Sequence, residues 1–153
     1  SDVCSSDLFA FGYVGTKMKS GSSPRNGGKW TEARYRSFIT STLRAGSRKW
    51  PPKYETLNAA KTEKKINTKT GRLAQHYECA ECNEEFTQKD VQVDHIKPVI
   101  DPKKGFISWD VYIDRMFCES KNLQVLCKEC HSIKTKKEKE VAKKYANQQK
   151  LRD

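Results

Sequence analysis

The sequence predicts a mixed α+β fold. We expect a small core of two strands and one helix, cross-linked by a zinc ion, between an N-terminal helical extension and a basic C-terminal helix. Two Cys-x-x-Cys pairs enclose two short strand-like runs, at Val91–His95 and Asn122–Leu126. Outside these runs, apolar residues recur at helical spacing. The mean hydropathy of −0.88 and the 32% of charged residues leave a small core for 153 residues, and such a core needs a metal ion or disulfides.

Residues 1–28 are expected to form a disordered arm, since SGSSPRNGG is rich in Gly and Ser and has no apolar period. The first eight residues, SDVCSSDL, are similar to the translation of a common sequencing-adapter tail. We therefore expect residues 1–8 to be an artefact and Met18 to be the native start. No run approaches the roughly 20 apolar residues of a membrane span, and no signal-peptide pattern is present. A cytoplasmic protein is expected.

Residues 29–76 are predicted to form a basic helical extension. Thr31 can cap a helix that runs to about Arg44, and Gly46 is a stop signal. After a rigid corner at Trp50-Pro51-Pro52, a second short helix is predicted at about Tyr54–Lys61. The stretch KTEKKINTKTG that follows is predicted to be a polar link ending in a turn.

Residues 77–137 are predicted to form the core. A strand at Arg72–Glu78 leads into the first cysteine pair. Ser108 can cap a helix whose apolar stripe is assigned to the core. From about Cys130 the chain is predicted to be helical, and residues 138–153 form its basic C-terminal part.

Charge divides the chain into an acidic centre and two basic arms. Residues 29–78 carry twelve Lys/Arg against four Asp/Glu, residues 79–131 carry seven against ten, and residues 132–153 carry eight against three. The formal net charge of the whole chain is +11. Proteins this basic usually bind nucleic acid or an anionic surface. The acidic centre between basic arms favours a metal site held against a polyanion, although either arm alone could be a solvated helix face.

Four cysteines have the spacing of a structural zinc site. They form the pairs Cys79/Cys82 and Cys127/Cys130, and two Cys-x-x-Cys pairs joined by a longer loop match tetrahedral zinc. Disulfides are the weaker interpretation because nothing indicates secretion, and no βαβ pattern supports a redox pair. Four thiolates leave the zinc no open position, so its role is structural. Cys118 is interpreted as a buried thiol.

A set of polar residues surrounds these cysteines. Asp94 and His95 end the first run, Asn122 opens the second, and His131 follows the last cysteine. The stretches CAEC (79–82), VDHIKP (93–98), NLQVLC (122–127) and CKECHSIKT (127–135) resemble the HNH endonuclease family, which has a ββα-metal core. The resemblance covers roughly residues 77–137. Upstream, KWTEARYR and KWPPKY are similar to segments of small phage-encoded HNH proteins.

The resemblance implies a metal-dependent DNA endonuclease. In this family pattern His95 activates water as the general base, and Asn122 orients the His95 loop. Asp94 and His131 hold one Mg²⁺ or Mn²⁺ ion at the scissile phosphate. An imidazole suits proton abstraction because its ordinary pKa is about 6.5. Neighbouring residues of a strand point to opposite faces, so a twist or break after His95 must present both it and Asp94 to the substrate. The residues predicted to contact DNA phosphates are Lys97, Lys134, Arg34, Arg36 and Arg48.

A second hypothesis is a non-cleaving, zinc-containing DNA-binding module, such as a subunit of a larger phage or restriction complex. Asp94 could cap a turn, Asn122 could fill a turn, and His131 could be a zinc ligand. The complete set favours the nuclease, because a binding module needs neither a general base nor a second metal site. The expected partners are DNA and, from the phage resemblance, phage packaging proteins in a host cytoplasm; no membrane is expected. Cleavage that needs a divalent ion separates the two hypotheses.

Overall fold

The computed structural model describes residues 24–150, which form a mixed α+β fold with four α-helices and two small antiparallel sheets. The helices are α1 (Glu32–Ser47), α2 (Pro51–Ala59), α3 (Trp109–Met116) and α4 (Lys128–Lys150). The strands are β1 (Lys61–Ile66), β2 (Leu73–Glu78), β3 (Glu85–Thr87), β4 (Val91–His95) and β5 (Leu123–Cys127). The predictions for the adapter-like start and for Met18 lie outside the described residues.

The start of α1 agrees with the capping signal. The Thr31 hydroxyl accepts a hydrogen bond from the Arg34 N–H at 3.2 Å, which satisfies one of the free donors at a helix N-terminus. Gly46 does not end the helix but lies in its last turn, since Arg48 is the C-cap. Just before α1, where we expected the disordered arm to end, the chain makes a tight turn. The Arg25 guanidinium holds this turn against α1 by pairing with Glu32 at 2.9 Å.

Helix α2 begins earlier than predicted, at Pro51 rather than at Tyr54. The two prolines interpreted as a corner occupy its first turn. Proline suits this position because the first N–H groups of a helix have no intrahelical acceptor and the ring fixes φ near the helical value. The Trp50 indole N–H donates to the Cys118 carbonyl at 2.7 Å, which anchors the start of α2 to the loop after α3.

The predicted polar link is wrong, because most of it is strand β1. This strand pairs antiparallel with β2, with Ile66 opposite Leu73, and β2 pairs with β3. Strand β1 is not evident in the sequence because it is an edge strand whose residues are nearly all exposed. Apolar and polar residues therefore do not alternate along it. Its lysines are typical of edge strands that resist pairing with another chain. The predicted boundary at residues 76/77 falls inside β2.

The second sheet, β4 and β5, carries most of the residues singled out in the sequence. The two strands are antiparallel, with Asp94 opposite Gln124 and His95 opposite Leu123. Strand β5 begins at Leu123, and Asn122 ends a single 3-10 turn before it. Helix α3 has the predicted cap, because the Ser108 hydroxyl accepts from the Val111 N–H at 3.3 Å. Helix α4 packs on both strands.

The core of the described residues is as small as composition predicts. Its most deeply buried side chains are Leu126 and Cys79, and Cys127 packs with them. The cysteine cluster is therefore part of the hydrophobic core itself. None of the helices within residues 24–150 combines the length and the apolar character needed to cross a bilayer.

Candidate metal centre and candidate active site

The two cysteine pairs converge on one point. Cys79 follows β2 and Cys82 lies in the turn after it, while Cys127 ends β5 and Cys130 lies in the first turn of α4. Their four sulfur atoms all lie within 4.8 Å of one another. Zn–S bonds of about 2.3 Å in a tetrahedron place sulfurs about 3.8 Å apart, so the cluster can hold a zinc ion with little movement. The predicted four-cysteine metal site is supported to this extent.

Backbone hydrogen bonds orient the sulfurs. The Cys127 N–H donates to the Cys79 sulfur at 3.3 Å, and the Cys130 N–H donates to the Cys127 sulfur at 3.4 Å. The Ala80 N–H donates to the Val125 carbonyl at 2.8 Å, which connects the first cysteine loop to β5. These bonds fix the positions of the Cys79 and Cys127 sulfurs.

The cluster also favours a cation electrostatically. Burial alone would raise the pKa of the Cys79 thiol, but backbone hydrogen bonds from Cys82 and Cys127 lower it to about 7. A hydrogen bond with Cys127, followed by burial, raises the pKa of Cys130. Four thiolates this close repel one another, and a divalent cation at their centre offsets the repulsion.

Asp94 and His131 meet beside this centre. Asp94 lies on β4 and His131 on α4, and the His131 Nε2 is 3.5 Å from Asp94 Oδ1. Neighbouring ligands of an octahedral ion with bonds of about 2.1 Å lie about 3.0 Å apart. The two donors therefore fit one Mg²⁺-like ion after a small closure. An ion held by these two donors would need further oxygen ligands to complete its shell. His131 faces Asp94 and is not a member of the four-sulfur cluster.

Lys134 closes the other side of the Asp94 carboxylate. Its ammonium lies 2.9 Å from Asp94 Oδ2, 2.6 Å from Glu138 Oε1 and 2.9 Å from the His95 carbonyl oxygen. Burial alone would lower the pKa of Lys134, but the bonds to Glu138 and Asp94 outweigh it and raise the pKa. Gln124, directly across the sheet, also donates to Asp94 Oδ2 at 3.2 Å.

His95 contacts a different part of the molecule from its neighbour Asp94. Its Nε2 lies 3.0 Å from the Met116 carbonyl at the end of α3, whereas the partners of Asp94 are on β5 and α4. A carbonyl only accepts, so Nε2 carries the proton and the neutral ring holds its lone pair on Nδ1. Burial, and the nearby Lys53 ammonium, lower the pKa of His95. The ring is therefore neutral at physiological pH, the state that a general base requires.

Asn122 fixes the backbone immediately after His95. Its Oδ1 accepts from the Lys97 N–H at 3.0 Å, and its Nδ2 donates to the Lys97 carbonyl at 3.5 Å. The Asn122 carbonyl accepts from the Ile96 N–H at 2.8 Å. The side-chain amide thus binds both the N–H and the carbonyl of Lys97, and its Nδ2 also donates to the Cys118 sulfur at 3.7 Å.

No protein-family model, curated protein or solved structure matches the chain.

The predicted phosphate-contacting residues lie in three places, and one of them, Lys134 on α4, has its ammonium bonded to Asp94 and Glu138. Lys97 is exposed in the loop after β4. Arg34 and Arg36 lie on α1, which packs against α3; the Arg34 guanidinium is 4.8 Å from the centre of the Trp30 ring, and Arg36 Nε is 3.5 Å from a Glu32 oxygen. Arg48 is the C-cap of α1. Contact with phosphate stays a prediction for these residues.

Sequence reasoning missed two side chains of the site. Gln124 lies in the NLQVLC motif, and pairing the two strands by register would have placed it opposite Asp94. Lys53, on α2, is half-buried and bonds the Ser47 hydroxyl at 3.3 Å; burial lowers its pKa. No sequence signal marks Lys53, because only tertiary packing brings α2 against β4 and β5.

Proposed function

We propose that the protein is a metal-dependent DNA endonuclease of the HNH type, encoded by a phage or prophage. The observation that carries the proposal is that Asp94 lies beside His131 while the imidazole of the next residue, His95, contacts a backbone carbonyl through Nε2. These groups lie on two antiparallel strands and a helix that adjoin a four-cysteine cluster. A base and a separate metal-ligand pair at one strand end are the parts that phosphodiester hydrolysis needs.

Each residue has a distinct role in the proposed reaction. Asp94 and His131 would hold a Mg²⁺ or Mn²⁺ ion, which would supply Lewis-acid chemistry at the scissile phosphate. His95 Nδ1 accepts the proton of the attacking water, and its bond to the Met116 carbonyl through Nε2 holds the ring in the tautomer that can do so. Asn122 keeps the backbone that follows His95 in place.

DNA is the proposed substrate because the two basic arms supply attraction to phosphate that does not depend on sequence. Such binding releases counterions, so it weakens steeply with salt. We expect the affinity for a short duplex to fall by about 10³-fold or more between 50 and 200 mM salt if about six phosphates are contacted. Fluorescence anisotropy at several salt concentrations measures this slope. A flat dependence would contradict a substrate bound through its phosphates.

Plasmid cleavage by the purified protein tests the activity. We expect nicked or linear product with Mg²⁺ or Mn²⁺ and none in EDTA. Because EDTA can also remove zinc from the cysteines, Asp94→Asn is the sharper control, since it removes a catalytic ligand and leaves the cluster intact. Undiminished cleavage by Asp94→Asn would refute the metal assignment. DNA binding without cleavage in any metal would favour the non-cleaving module, or a subunit that needs a phage partner.

Replacing Asn122 by alanine tests its positioning role. The variant loses both side-chain bonds to the Lys97 backbone, so the loop that follows His95 is no longer held in place. We expect the free energy of unfolding to fall by only about 1–2 kcal/mol, and the single-turnover cleavage rate to fall by roughly 10²-fold because the base is misplaced. Circular dichroism and a cleavage time course separate the two effects. If the rise in the activation free energy of cleavage were no larger than the loss in the free energy of unfolding, Asn122 would have a merely structural role.

A further inference from the structure

The ammonium of Lys134 lies where it must influence any ion bound by Asp94. It is 2.9 Å from Asp94 Oδ2, on the opposite oxygen from the one that faces His131. The same ammonium is shared with Glu138, whose oxygen is 2.6 Å away. A charged protein group therefore already neutralises part of the carboxylate that the ion would use.

The hydrogen bonds also limit how the carboxylate can bind. Oδ2 accepts from both Lys134 and Gln124, so Oδ1 is the oxygen that is left for an ion. Together with His131 Nε2 this gives two protein donors. Mg²⁺ and Mn²⁺ prefer about six ligands and bind tightly where several carboxylates or phosphates surround them. Two donors next to a fixed ammonium form a poor site on their own.

A DNA phosphate would change this balance. Its oxygens add ligands to the ion, and its negative charge offsets the repulsion from the ammonium. We infer that Lys134 makes divalent-ion binding at Asp94 and His131 conditional on DNA: the protein alone binds the ion weakly, and a bound phosphate raises the affinity. The inference rests on the proposed function, in that DNA is the source of the phosphate.

Two substitutions on α4 test the inference in opposite directions. Lys134→Met removes the ammonium, and we expect Mn²⁺ to bind the DNA-free protein about 10-fold more tightly, within the range by which outer groups tune metal sites. Glu138→Gln leaves the ammonium to Asp94 alone, so Mn²⁺ should bind more weakly than to the wild type. Free Mn²⁺ is measured by its electron paramagnetic resonance signal during titration of the zinc-loaded protein.

Matched controls lie on the same helix. Lys136 and Glu140 are exposed, so Lys136→Met and Glu140→Gln change the net charge by the same amounts at the surface. Neither control should move the Mn²⁺ affinity. Equal shifts in the controls and the test variants, or no shift in Lys134→Met and Glu138→Gln, would overturn the inference. If Lys134→Met did not fold, comparing the Mn²⁺ affinity of Glu138→Gln with that of Glu140→Gln would still test the inference.

The effect of DNA on Mn²⁺ binding is measured with the His95→Ala variant, which should leave the duplex uncut. We expect a short duplex to raise the Mn²⁺ affinity of this variant by about 10-fold or more. The same titration with the double variant His95→Ala/His131→Ala subtracts Mn²⁺ held by the DNA alone. An affinity that the duplex does not change would overturn the inference. Opposite shifts in Lys134→Met and Glu138→Gln with the expected duplex effect would support it even if wild-type protein cut no DNA, an outcome that would count against the nuclease alone.

Discussion

His95→Ala is expected to lower the single-turnover rate of DNA cleavage by about 10²–10⁴-fold, the usual contribution of a general base. The ring nitrogen that would accept the proton is lost, while Asp94 and His131 keep their contacts on the other side of β4. The Lys134 bond is to the backbone carbonyl of residue 95, so it survives the substitution. Plasmid nicking followed over time at saturating Mg²⁺ measures the rate.

His76→Ala is the matched control, since it removes another imidazole from the same chain. His76 lies on β2, where its Nδ1 contacts the Ala74 carbonyl. We expect its cleavage rate and duplex affinity to equal those of the wild type. His95→Ala should also bind duplex with wild-type affinity. Normal cleavage by His95→Ala would disprove the general-base assignment, and a loss of DNA affinity equal to the loss of rate would point to a binding role instead.

Cys82→Ala is expected to destabilise the whole core. The Cys82 side chain is exposed, so the substitution removes almost no buried apolar surface, and without a metal ion it should be nearly neutral. If the thiolate is a zinc ligand, the loss is large because metal binding at a structural site contributes directly to folding. We expect a fall in Tm of at least about 10 °C and the loss of bound zinc. Thermal circular dichroism and elemental analysis measure the two quantities.

Cys118→Ala provides the comparison, because Cys118 is half-buried and lies outside the four-sulfur cluster. It should keep its zinc and lose less stability than Cys82→Ala, although it removes more packing. A zinc-free Cys82→Ala protein with the wild-type Tm would show that the cluster has no structural role. A strong chelator should unfold the wild type in the same way that the Cys82 substitution does.

Local chemistry explains which parts of the fold were predictable. The caps at Thr31 and Ser108 and the cysteine spacing are encoded within a few residues, so they were identified correctly from the sequence. Strand β1 was missed because its partner β2 determines it, and an exposed edge has no apolar alternation. The early start of α2 was missed because Pro51 was interpreted as a break, although proline is favoured in the first helical turn.

In the candidate site, too, some residues were predictable from local motifs and others depend on tertiary packing. The motif indicated Asp94, His131 and the loop role of Asn122, and the structure shows the contacts that each makes. The bonds of Lys134 to Asp94 and Glu138 could not be foreseen, since they depend on how α4 packs on β4. Lys53 comes near His95 only because α2 packs against the same sheet. Sequence patterns therefore predicted which of these polar residues lie together, and packing determined their electrostatic surroundings.

The adjacency of Asp94 and His95 on one strand has a consequence for the tolerance of the chain to length changes. One peptide unit separates the proposed metal ligand, Asp94, from the proposed base, His95. Adding or removing a residue before them in β4 would exchange the faces of both side chains. The turn between Asp101 and Gly105, in the segment that joins β4 to α3, sets the register of neither residue, and lengthening a loop costs little free energy. We therefore expect insertions in β4 to abolish the proposed activity and insertions around Lys103 to be accepted, where natural or engineered variants could acquire new contacts without altering that activity.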